Sequence, residues 1–315
     1  MQEVFNMKLI SIVSGCYNEV ENAEDLVARV NQVMQQLPQY DYEQIFIDNG
    51  STDGTQELLR KLAQQNPKLK VILNARNFGH IRSPYHGIMQ ARGDAVIYLA
   101  SDLQEPPELI PEMIEKWEGG AKAVVCVKNA SEERPLFFNM RRLCYAVFDR
   151  LANIKTIQNF TGFGLYDRAI INHCRKMNDS YPYFRGMISE IGLPIVEIPY
   201  KQPLRKKGIT KNNFYTLYDI AMLGMTNYTK IPLRLASFTG FVMALASFFL
   251  AIGYFVYKLL FWAQVPFGTA PLIIGLFFFT SVQLFFIGIL GEYIGAIYTQ
   301  VLNRPLVVEK ERINF

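Results

Sequence analysis

Two runs without a single charge constrain this chain more than any other feature. Residues 235–257 supply 23 consecutive residues and residues 271–291 another 21, none of them Asp, Glu, Lys or Arg. A helix of about 20 apolar residues crosses a hydrocarbon core. A helical hairpin buried in a soluble protein is the alternative, but uncharged helices of this length have no polar face to turn to water. The fold must therefore place a membrane hairpin in its last quarter. The connector 258–270 holds one charge, Lys258, whereas Lys230, Arg234, Arg304, Lys310 and Arg312 flank the pair, so the positive-inside rule sets both outer ends in the cytoplasm. Glu292, just past the second run, reads as an interfacial or helix-packing residue rather than an intramembrane proton relay.

The first 200 residues read differently, as short apolar runs alternating with amphipathic ones. Strands are expected over 9–14, 42–47, 70–73, 95–100 and 121–127, and helices over 21–36, 55–65, 81–91 and 106–118. Leu26, Val30, Val33 and Leu37 show the helical spacing in the first of these. Such alternation implies one α/β domain on a mostly parallel sheet. Four widely spaced cysteines (Cys16, Cys126, Cys144, Cys174) indicate neither a disulfide framework nor a zinc site. The short apolar run near the N-terminus lacks the length of a secretory signal, which leaves the domain in the cytoplasm. A net charge of +4 gives no argument for nucleic acid, but the cluster Lys201, Arg205, Lys206, Lys207 and Lys211 calls for a partner.

Acids stand at two strand ends. In Tyr98-Leu99-Ala100-Ser101-Asp102-Leu103-Gln104-Glu105-Pro106-Pro107-Glu108 an apolar run delivers Asp102 just before a proline-started helix. In open parallel sheets ligands bind beyond the carboxyl ends of the strands. Asp102 and Gln104 offer hard oxygen donors two residues apart, which suit Mg²⁺ or Mn²⁺ carrying a diphosphate; helix capping by Asp102 is the other reading. Asp48, in Asp48-Asn49-Gly50-Ser51-Thr52-Asp53-Gly54, ends an earlier strand on the same crevice. It can accept from a uracil N–H or a ribose hydroxyl, with Gly50 letting backbone approach the ligand and Ser51 or Asp53 capping the next helix; ordinary turn chemistry explains the same residues.

Between domain and hairpin, Phe214, Leu217, Tyr218, Ala221, Met222 and Met225 share one helical face, as in a helix lying in the membrane interface. The basic cluster before it has two readings. Each cation near the surface draws the protein to anionic lipid by about 1 kcal/mol. Alternatively Arg205, Lys207 and Lys211, around Gly208, clamp a phosphate at the crevice mouth, the arginine in bidentate fashion.

The order of motifs resembles glycosyltransferase family 2, in particular its polyisoprenyl-phosphate glycosyltransferases, which include dolichyl-phosphate mannose synthase and the bactoprenol glucosyltransferases. The resemblance rests on Cys16-Tyr17-Asn18-Glu19, Asp48 to Gly54, Arg76-Asn77-Phe78-Gly79, Asp102 to Glu108, Gly162-Phe163-Gly164-Leu165-Tyr166-Asp167-Arg168 and the basic Gly208-Ile209-Thr210-Lys211. It covers nearly the whole chain and implies a GT-A type, Rossmann-like fold. It also implies a nucleotide-diphosphate sugar donor, a UDP-sugar by preference, with Mg²⁺ or Mn²⁺ and a polyisoprenyl phosphate acceptor at the bilayer. By the same resemblance Tyr17, Asn18, Glu19, Asp48, Asn77 and Asp102 would line the nucleotide pocket, and Asp102 with Gln104 would hold metal and diphosphate.

Two positions depart from the family pattern: Ala100 stands where its Asp-x-Asp begins, and Gly162 where an acid is proposed as base. Asp167 and Glu190 remain as candidate acids. A phosphate monoester has a second pKa near ~6 and needs little deprotonation at neutral pH. The expected plan is a GT-A domain over 1–203, a basic loop and interfacial helix over 204–230, two spans over 231–302 and a cytoplasmic tail over 303–315. Gly275, Gly288, Gly291 and Gly295 would allow close helix contacts, within the hairpin or in a homo-oligomer. A transferase with another lipid or glycan acceptor, or a non-catalytic binder of nucleotide and lipid, are the rival readings.

Overall fold

Residues 12–13 and 45–47 are apolar without alternation, the pattern of strands covered on both faces. The computed structural model, which describes residues 7–129, 157–203, 214–261 and 269–315, places them at the centre of an eight-stranded sheet. Its strands are β1 (Lys8–Cys16), β2 (Tyr40–Asp48), β3 (Leu69–Asn74), β4 (Ala95–Tyr98), β5 (Ala123–Lys128), β6 (Phe160–Asp167), β7 (Ile195–Tyr200) and β8 (Glu309–Ile313), in the order β7-β5-β6-β4-β1-β2-β3-β8. The centre, β4-β1-β2-β3, is parallel as expected, while β6 runs antiparallel to both β4 and β5, and β8 antiparallel to β3.

Helices α1 (Val20–Gln35), α2 (Thr55–Gln65) and α4 (Ile110–Glu118) cover one face. There Leu26, Leu59 and Met113 pack with Ile10, Ile12 and Phe46. On the other face α3 (Gly79–Gln90), α5 (Arg168–Met177) and α6 (Phe184–Ile191) bring Tyr85, Ile170 and Met187 against Val13, Ile45 and Ile47. Each fully buried side chain of this kind contributes about 1.5–3 kcal/mol. The chain crosses from β3 to β4 by passing to the far side of β1, so the strand order reverses beside β1 and opens a crevice at the carboxyl ends of β1 and β4.

Beyond the sheet, α7 (Phe214–Tyr228), α8 (Ile231–Leu260) and α9 (Thr269–Leu302) complete the chain. Both long helices are apolar enough to cross a membrane, and their phenylalanines and leucines face outward. The second outruns the uncharged stretch by eleven residues, 292–302, and these last turns fasten to the domain. Gln300 accepts from Ser180 N (3.0 Å) and donates to Asn178 O (3.1 Å), and Tyr293 donates to Thr229 O (2.7 Å). The segment expected as a cytoplasmic tail supplies β8. Asn314 donates to Ala63 O and Leu69 O at 2.8 Å each.

Candidate active site

Three loops meet at the crevice, and most of the polar side chains that the motifs singled out tie these loops together. Asp48 closes β2 with no exposed surface, and its Oδ1 accepts from Gly50 N (3.1 Å), Ser51 N (3.0 Å) and Gln56 Nε2 (2.8 Å). Asn49 donates to Asn77 Oδ1 (2.9 Å) and Gly79 O (3.0 Å) and accepts from Phe78 N (2.8 Å). Asn18, at φ 57°, accepts from Thr52 N (2.9 Å), while its own N–H donates to Ser51 Oγ (2.8 Å). Glu19 N donates to Thr55 Oγ1 (3.0 Å), and Glu19 Oε2 accepts from Asn22 (2.6 Å). Tyr17 lies partly buried on the same rim.

The motif residues Tyr17, Asn18, Glu19, Asp48 and Asn77 thus gather at one edge. Asp48 spends its Oδ1 on the turn rather than presenting an open carboxylate. Gly50 is also reassigned: a Cβ there would lie 2.6 Å from the Arg76 carbonyl carbon, so its close backbone approach is to this chain's own 76–77 segment. Asp53, not Ser51, serves the next helix, accepting from Thr55 N (3.1 Å).

Asp102 reaches the same crevice from β4. Ser101 Oγ donates to Gly15 O (2.9 Å), tying its loop to the end of β1, and Leu103 turns the backbone through φ 61°. Asp102 is partly exposed; its Oδ1 accepts from Gln104 N (3.2 Å). It does not cap the following helix, whose first turn begins at Pro107 with no side-chain cap. Gln104 Nε2 lies 3.5 Å from Pro203 O, so the chain enters its basic segment beside this loop. Arg205, Lys207 and Lys211 themselves lie outside the described residues. Glu105, which the motif reading left without a role, is 5% exposed. Its Oε2 accepts from Ala100 N (2.6 Å) and its Oε1 from Thr161 Oγ1 (2.8 Å), while burial pushes its carboxyl up to about 7.

Among the described residues, no three His, Cys, Asp or Glu side chains converge on a metal position. Among the described residues nothing donates to Asp102 Oδ2 or Gln104 Oε1, which leaves two hard oxygens at the crevice. That donor set fits Mg²⁺ or Mn²⁺ that keeps water and substrate oxygens as its other ligands.

Asp167 is a correction. It ends β6 opposite Ala95, the first residue of β4, and so lies at the other end of the sheet from Asp102. There it accepts from Trp117 Nε1 (2.8 Å), Lys122 Nζ (3.1 Å) and Ala169 N (2.8 Å), capping α5. Burial alone would raise its carboxyl, but those three donors together hold it below the usual range. No acid role at the crevice fits that position. Gly162, at φ 107°, lies at the crevice end of β6, where an added Cβ would sit 3.7 Å from the Tyr98 ring.

Residues 11–178 match the glycosyl transferase family 2 profile. An uncharacterized glycosyltransferase, YkcC of Bacillus subtilis (strain 168), is 34% identical over 302 residues, 95% of this chain and 92% of that protein. The bactoprenol glucosyl transferase of Shigella phage SfII is 32% identical over 303 residues, 96% of this chain and 97% of that one. Among solved structures, the Pyrobaculum calidifontis mannosyltransferase PcManGT, in complex with GDP-Man and Mn²⁺, aligns with 15% identity and a TM-score of 0.47 over 94% of this chain and 87% of that one. With a match over more than half its length and relatives above 30% identity along nearly all of it, the chain belongs to glycosyl transferase family 2.

Proposed function

We propose that this glycosyltransferase moves a hexose, with inversion, from a UDP-sugar to a polyisoprenyl phosphate such as undecaprenyl phosphate at the cytoplasmic membrane face. The observation that carries this reading is the 3.5 Å approach of Gln104 to Pro203, which starts the basic segment beside the Asp102 loop. A diphosphate at Asp102 and an acceptor phosphate at Arg205, Lys207 and Lys211 would then be neighbours. The bactoprenol glucosyl transferase relative, which aligns through both apolar helices, supports the lipid acceptor.

The pairing of β8 with β3 supports a hairpin whose two outer ends lie on one side of the bilayer, and the flanking Lys230, Arg234 and Arg304 favour the cytoplasmic one.

The acceptor monoester is largely ionised at neutral pH, so the chain's task is placement and charge rather than proton removal. Asp102 and Gln104 would orient the donor diphosphate, and the basic segment would hold the incoming phosphate in line with the anomeric carbon. When bound, Mg²⁺ or Mn²⁺ supplies charge neutralisation to the leaving diphosphate.

Purified protein in detergent, given undecaprenyl phosphate and a panel of nucleotide sugars, should form a lipid-linked sugar; transfer only to another acceptor would overturn the assignment. Arg205→Lys separates phosphate grip from lipid attraction. Loss of the planar fork should worsen the acceptor's kinetic parameters alone, whereas equal kinetics would remove Arg205 from the site.

A further inference from the structure

We propose that Glu105 is a positioning residue that holds the 100–105 loop so that Asp102 and Gln104 face the donor diphosphate; this rests on the reading of Asp102 above. A carboxylate buried to this degree is destabilising unless it is bonded, and an acid is the wrong choice for a mere spacer. Here both oxygens are used, and the two donors come from different strands: Ala100 N follows β4, and Thr161 Oγ1 belongs to β6. Glu105 therefore closes its own loop onto the neighbouring strand.

The loop needs such a clamp. Leu103 holds a left-handed backbone, which a non-glycine residue adopts at a cost and keeps only where surrounding contacts impose it. Ser101 pins the loop at one end through Gly15 O, and Glu105 pins it at the other. Asp102 stands between the two pins, with one carboxylate oxygen taken by Gln104 N. At position 100, where the family pattern has an acid, the chain offers only its backbone N–H, and that group is bound by Glu105.

The test compares Glu105→Ala, Glu105→Gln, Thr161→Val and Asp102→Asn in the full-length protein. Mn²⁺ binding in the presence of UDP is read by electron paramagnetic resonance, alongside thermal denaturation and steady-state kinetics. Glu105→Ala should weaken Mn²⁺·UDP binding by at least ~10-fold and lower kcat by a similar factor, leaving the acceptor KM within ~2-fold. Thr161→Val should fall between. Glu105→Gln should recover most of the loss, because its carbonyl still accepts from Ala100 N and its amide donates to the Thr161 hydroxyl.

Binding and kcat within ~2-fold in folded Glu105→Ala, whatever its melting temperature, would make the residue purely structural and overturn the proposal. Equal damage in Glu105→Gln and Glu105→Ala would also overturn it, by showing that charge rather than placement matters. Should Glu105→Ala not fold, an unaltered Thr161→Val has the same force. Unchanged Mn²⁺·UDP binding in Asp102→Asn would instead bring down the underlying reading of Asp102, and the inference with it.

Discussion

Asp102 and Asp167 carry the same functional group at opposite ends of the same sheet, and their surroundings give them different work. Asp102 is partly exposed on a loop pinned to β1, with one oxygen uncommitted among the described residues. Asp102→Asn should lower turnover at least ~100-fold while the protein stays folded and membrane-bound, as removal of a diphosphate and metal contact does. A variant with full activity would discard the site. Asp167 is bound by an indole N–H, an ammonium and a helix N–H. Asp167→Ala should therefore cost stability, on the order of 1–3 kcal/mol for the lost cap and the orphaned Trp117 N–H, with kcat per folded molecule kept within ~2-fold. Chemical denaturation paired with active-site titration separates the two outcomes, and a collapse of kcat without loss of stability would return Asp167 to the chemistry.

At the scale of elements, the end of the sheet away from the crevice is held by a buried acid on β2. Glu43, 4% exposed, accepts from Ser11 Oγ (2.5 Å), Arg92 N (2.8 Å) and Lys70 Nζ (2.5 Å), which joins β1, β2, β3 and the loop before β4. Burial would raise its carboxyl, but the donors of Lys70, Ser11 and Arg92 together keep it below its ordinary value. Its folded pKa is thus lower than its unfolded one, near ~4.3. The stability it contributes is present above that value and is lost as pH falls through the folded pKa. Melting temperature should drop on acidification below about pH 4.5, and more gently in Glu43→Gln; identical acid slopes would assign the loss to other carboxylates.

The molecule as a whole is a sheet domain sewn to a helical hairpin from both sides. Tyr228 at the end of α7 lies so close to α6 that a Cβ on Gly186 would come within 2.4 Å of its ring. The last turns of α9 bond to residues 178 and 180, and β8 then completes the sheet. The crevice is thereby tied to the helices, an arrangement that suits the proposed transfer to a lipid phosphate. With Asp102 and Gln104 as its candidate donors among the described residues, the site should depend on a divalent cation shared with the diphosphate. Turnover should stop in excess chelator and return with Mg²⁺ or Mn²⁺; activity that persists in chelator would mean that side chains alone neutralise the leaving group.

Much of this plan was legible in the sequence. The alternation of apolar runs and amphipathic segments determined the α/β order, and α2 begins and ends where its periodicity predicts, at Thr55–Gln65. The two uncharged runs determined the hairpin, because a helix of that length without a charge has few other environments. Asp102 was legible as a crevice residue from its place after an apolar run. Tertiary structure decided the rest, because hydrogen-bond partners far apart in sequence leave no local periodicity. It gave Asp167 to Trp117 and Lys122, turned Asp48 inward onto its own loop and Gln56 of α2, and bound Glu105 to Thr161. Residues 309–313 alternate exposed and partly buried positions, as any charged tail could, and become a strand because β3 offers an open edge for them to pair with.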